Sequence, residues 1–182
     1  MFFKQRCLGV WFRGGAWLLP FLAAVPLAAR VFLTAEQALH LAFPQAQLEK
    51  RTLILTAEQK AKASALAGGA VPGVVTQYRV VEGSHLVAFA YLDTHTVRTL
   101  PETLLVILDP QGKVLRVEVL AFGEPEEYLP RPGWYQQFSG KDQPASVELG
   151  AGIRPVTGAT LTAHATTQAV RRVLAIHKVL TP

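Results

Sequence analysis

The chain has 182 residues, half of them hydrophobic, and sets 18 basic side chains against 13 acidic ones. Four of the basic residues, Lys4, Arg6, Arg13 and Arg30, meet no acidic partner in the first thirty positions. The rest of the chain is close to neutral and lacks the basic cluster that binding to a phosphate backbone needs, which argues against nucleic acid as a partner. The single cysteine, Cys7, permits neither an internal disulfide nor a multi-cysteine metal site, and apolar residues concentrated near the N-terminus argue against a polytopic membrane protein.

Residues 1–30 have the three-part form of an export signal or single membrane anchor: a basic start, an apolar run from Gly14 to Ala29, then Arg30. The run is about 16 residues, shorter than the roughly 20 that span hydrocarbon comfortably, although Val31-Phe32-Leu33 can extend it. Cleavage after Ala28 or Ala29 and retention as an anchor are both open, and either puts the remainder outside the cytoplasm. Residues 31–73 read as a helical lead-in. Thr34-Ala35-Glu36-Gln37 and Thr56-Ala57-Glu58-Gln59 each pair a hydroxyl with a glutamine three residues later, the pattern of a capping box. The first predicts a short helix ending before Pro44, the second a helix stopped by Gly68-Gly69.

At residue 74 the pattern turns from helical to extended, and residues 74–182 read as the principal domain. Val74–Val81 and His85–Leu92 flank the turn Glu82-Gly83-Ser84, and Thr103–Leu108 and Lys113–Leu120 flank Asp109-Pro110-Gln111-Gly112. Two hairpins in succession predict a small, mainly antiparallel sheet flanked by helices, an α+β fold. Residues 123–146, rich in Gly, Pro, aromatic and acidic side chains, read as a surface excursion with one helical turn, and Glu124, Glu126 and Glu127 as solvated acids. Trp134, Tyr135 and Phe138 within it are either core residues or a cover for a flat aromatic cofactor. From Leu161 onward, Ala165, Ala169, Val170, Val173, Leu174 and Leu180 trace one apolar stripe, with Arg171, Arg172 and Lys178 near the end of a C-terminal helix.

Val156-Thr157-Gly158-Ala159-Thr160-Leu161-Thr162 lies between Pro155 and that helix. The first N–H groups of a helix have no partner within it, and they carry the positive end of its dipole, so this turn can bind an anion. Gly158 and Ala159 leave room for close approach, while the hydroxyls of Thr157, Thr160 and Thr162 can bond a phosphate; a plain threonine cap is the simpler alternative. His85, His95, His164 and His177 show no metal-ligand spacing, so no metal site is predicted, and no nucleophile elbow, Walker loop or dinucleotide fingerprint is present.

The run Thr157-Gly158-Ala159-Thr160-Leu161-Thr162, followed by Ala163, Ala165 and Ala169-Val170-Arg171-Arg172, resembles the FMN-binding domain family. That family includes the FMN-carrying small subunits of the Rnf complex and of the sodium-pumping NADH:quinone oxidoreductase, and the extracytoplasmic domain of NosR-type regulators. The likeness extends more loosely back through Thr99-Leu100-Pro101-Glu102, the Asp109-Pro110-Gln111-Gly112 turn and Phe122-Gly123-Glu124-Pro125 to Trp134 and Phe138. It implies FMN as cofactor, held by Thr157, Gly158, Ala159, Thr160, Leu161 and Thr162, and a phosphoester bond to Thr160 made outside the cytoplasm by a flavin transferase that uses FAD. Where the family's motif carries an aspartate, this chain has Arg154, whose guanidinium can pair with the phosphate of noncovalent FMN instead; Trp134 is the candidate ring contact. The resemblance further implies an extracytoplasmic, periplasmic electron carrier exchanging electrons with membrane redox proteins or quinone, more an electron-transfer subunit than a free-standing enzyme. An exported flavin or redox sensor is the alternative.

Overall fold

The computed structural model describes residues 29–181, so the signal or anchor expected at residues 1–30 falls almost wholly outside the described residues. Within them, no helix is long and apolar enough to cross a membrane. The chain runs β1 (Arg30–Val31), α1 (Ala35–Ala42), β2 (Gln47–Ile54), α2 (Ala57–Ala67), β3 (Val74–Glu82), β4 (His85–Thr96), β5 (Pro101–Leu108), β6 (Val114–Phe122) and α3 (Thr160–Leu180). Three short 3-10 turns, Glu126–Tyr128, Pro132–Phe138 and Pro144–Ser146, separate β6 from α3.

The six strands form one antiparallel sheet in the order β1-β6-β5-β4-β3-β2. Its centre is the continuous apolar run of β5, which is buried on both faces. Because successive side chains of a strand point to opposite sides, Leu104, Val106 and Leu108 pack under α2 and α3, whereas Leu105 and Ile107 pack with Leu39 of α1 on the other face. The pairing of β5 with β6 shifts register twice, and these irregularities break the clean alternation of apolar residues along β6.

Both hairpins and all three helices lie where the sequence places them, and the sheet is larger than the two hairpins predict. Gln47–Ile54 adds a full edge strand on β3, within the stretch read as helical lead-in, and Arg30–Val31 adds a two-residue strand beside Ala121 and Phe122. The excursion over 123–146 is also less superficial than expected. Phe138 is wholly buried and Tyr135 nearly so, both in the core cluster under α3.

Candidate functional site

The helix starts differ in a way that locates the site. At α1 and α2, Thr34 and Thr56 accept the N–H of Gln37 and Gln59, and the glutamine side chains bond back to the threonine N–H, closing both boxes. At α3 the cap position is Ala159, and no side chain caps it. The first intrahelical bond runs from Ala163 to the Ala159 carbonyl, leaving the N–H groups of Thr160, Leu161 and Thr162 without an acceptor among the described residues. Gly158, at φ +84°, makes the left-handed turn into the helix, and nothing lies within 4 Å of where a Cβ would stand.

These residues line a small concavity of about 160 Å³: Gly158, Ala159, Thr160, Leu161 and Thr162 from the turn, together with Arg98 and Tyr128. The three threonines have distinct situations. Thr162 is buried, and its hydroxyl donates to the Tyr128 carbonyl at 2.6 Å, which ties the 3-10 turn to the helix. Thr157 is exposed but does not line the concavity. Thr160 is exposed and does line it, with its hydroxyl donating to the Val156 carbonyl at 3.2 Å. Of the three, Thr160 is the hydroxyl best placed to carry or touch a ligand in this space.

Arg154 and Trp134 meet each other rather than the concavity. The Trp134 indole N–H donates to the Arg154 carbonyl at 2.7 Å, and the Arg154 backbone N–H and Nε both donate to Gln137 Oε1. Trp134 packs edge-on against Tyr135 and Phe138, at the margin of the core. These two residues buttress the segment leading into the turn, and neither is among the residues lining the space around Thr160.

Sequence reading missed Arg98 and Tyr128, which face the turn from the β4–β5 connection and from the first 3-10 turn. The Arg98 guanidinium carbon lies 5.1 Å from the centre of the Tyr128 ring. Glu124, expected to be solvated, is buried and holds this connection in place: its Oε1 accepts the N–H groups of Arg98, Thr99 and Leu100 at 3.2, 2.7 and 2.9 Å. Those bonds keep its carboxyl below the usual carboxylate range. Gly123 lets the two segments approach, since a Cβ there would stand 2.8 Å from Leu100 Cβ.

A second polar group, also missed, fastens α3 to the sheet. Arg172 donates two hydrogen bonds to Asp93, at 3.1 and 2.7 Å. His95 lies between Asp93 at 2.9 Å and Glu102 at 3.0 Å, and Thr166 donates to Glu102 at 3.1 Å. Burial pushes the His95 pKa down, but its hydrogen bonds and charge interactions with Asp93 and Glu102 outweigh this and raise it to about 8. For Asp93, burial pushes upward, and His95 and Arg172 still hold its carboxyl below its ordinary value. The signal that could have revealed part of this group is strand period: Asp93 and His95, two apart, share one face of β4.

A larger groove of about 730 Å³ runs along β6, lined by residues such as Phe32, Val117, Leu129 and Tyr135. It contains no residue of the Thr157–Thr162 turn.

Fold and turn together define an α+β domain with an open helix start suited to an anionic group. The FMN-binding domain family model matches residues 100–175, a span that holds the turn, Glu102, Glu124 and most of α3. The chain therefore carries an FMN-binding domain, with FMN as its cofactor. Comparison with curated proteins and with solved structures gives no significant match. The donor set suits the phosphate end of FMN: three N–H groups at a positive helix terminus, one exposed hydroxyl and an arginine, Arg98, lining the same concavity.

Proposed function

We propose that this protein is an extracytoplasmic electron carrier, held at or exported across a membrane by its N-terminal segment, that exchanges electrons with membrane redox proteins or quinone. The observation that carries this reading is the uncapped start of α3, inside the span matched by the FMN-binding domain, with the Thr160 hydroxyl facing the space beside it. The basic and then apolar N-terminus supports the location.

In this reading the N–H groups of Thr160, Leu161 and Thr162 hold the phosphate, and the Thr160 oxygen is the attachment point for a phosphoester made from FAD by a flavin transferase, with AMP as leaving group. Thr162 and Glu124 keep the turn and the β4–β5 connection in register, so that the donors are placed before the cofactor arrives. FMN supplies the redox chemistry, taking up and releasing one or two electrons.

The test is production of the full chain together with a flavin transferase in bacterial membranes, followed by intact-mass measurement and in-gel flavin fluorescence after denaturation. The expected result is a flavin-bearing chain that quinol or a membrane dehydrogenase reduces, with covalent fluorescence abolished in Thr160→Ala. A colourless chain with no affinity for FMN overturns the reading, and a bound flavin that no membrane donor reduces moves it to a sensor.

A further inference from the structure

We infer that Arg98 is a phosphate-binding residue of the FMN site, set in place by Glu124. This rests on the proposed seating of FMN at the start of α3. Arg98 lies outside the span that the family model matches, and Arg154, the cation suggested by position in the turn motif, has its guanidinium Nε on Gln137.

Three observations converge on Arg98. It lines the same concavity as the residues that carry the unpartnered N–H groups of α3. No carboxylate among the described residues forms an ion pair with it, whereas Arg30 pairs with Glu126 and Arg172 with Asp93. Its backbone is fixed, because Glu124 Oε1 takes up the N–H groups of residues 98 to 100 and Gly123 brings the end of β6 against Leu100 and Pro101. The Tyr128 ring beside the guanidinium further restricts where it can go. A planar guanidinium that shares a concavity with an open helix N-terminus and has no carboxylate partner among the described residues is matched to a phosphate oxygen bound there.

The contact is to phosphate and not to the flavin ring, and this separates it from any structural role. In the full chain produced without a flavin transferase, FMN and riboflavin are titrated separately and followed by quenching of flavin fluorescence. Arg98→Ala is expected to weaken FMN on the order of ten- to a hundred-fold, the range of a charge-assisted hydrogen bond, and to leave riboflavin unchanged. Arg98→Lys should recover part of the loss, and Glu124→Gln should give a smaller loss confined to FMN. Equal weakening of FMN and riboflavin, or no change in either, overturns the role of Arg98 while leaving FMN at the α3 turn. A wild-type chain that binds riboflavin but gains nothing from the phosphate of FMN removes the seating itself.

Discussion

The two short helices and the long one begin in opposite ways. α1 and α2 satisfy their own first turns with a threonine and a glutamine each, so their starts are closed locally. α3, at 21 residues the longest, leaves its first N–H groups open and is held elsewhere: by an apolar face through Val170, Val173 and Leu174, and by the bonds from Arg172 to Asp93 and from Thr166 to Glu102. With these contacts holding it, α3 does not depend on a capped first turn, and on the proposed seating its open donors would receive the phosphate.

That contrast can be broken at its anchors first. Asp93→Ala strands the mostly buried Arg172 and one side of His95, and should lower the free energy of urea unfolding by about 3 to 5 kcal/mol. A loss below about 1 kcal/mol would mean that apolar packing alone secures α3.

The next effect in size depends on pH. The His95 pKa is raised in the fold from 6.5 to about 8, so its contribution is complete below pH 6.5 and disappears as pH rises through 8. The shift corresponds to about 2 kcal/mol. His177, whose pKa burial pushes down, acts in the opposite sense, costing stability as pH falls below 6.5. Subtracting the stability–pH curve of His95→Gln from that of the wild type isolates the first effect; a flat difference from pH 6 to 9 removes it.

The smallest effects sharpen the comparison at the helix starts themselves. Thr56→Ala should cost about 1 kcal/mol and leave FMN binding untouched. Ala159→Ser, which offers a hydroxyl oxygen to the free donors of α3, should change stability by a few tenths of a kcal/mol and weaken FMN measurably. If FMN affinity survives Ala159→Ser intact, the open donors are not the phosphate site.

Features set by neighbouring residues were legible in the sequence. Both capping boxes, both hairpin turns and the Thr157–Thr162 turn are local chemistry, and each lies where the residues predict. The β2 strand was not legible, because Glu49-Lys50-Arg51 at its middle hides the strand pattern; it is an edge strand whose side chains are mostly exposed. Phe138 and Tyr135 read in the sequence more readily as core than as a cofactor cover, and the packing of the 3-10 segment beneath α3 places them in the core. The charged group was out of reach for a related reason: Arg172 and Asp93 are 79 residues apart, and nothing local to either announces the other. Arg98 and Thr160 likewise become neighbours only through Glu124 and the fold of β4–β6.

The modest volume beside Thr160 bears on how electrons would come and go. At about 160 Å³ it is well under the roughly 300 Å³ at which ordinary small-molecule pockets begin, enough for a phosphate and the first carbons of a sugar alcohol. On the proposed seating, FMN held there by its phosphate would leave its tricyclic head outside the concavity. In the proposed role as an electron carrier, a head so displayed would be open to another redox centre in a brief encounter.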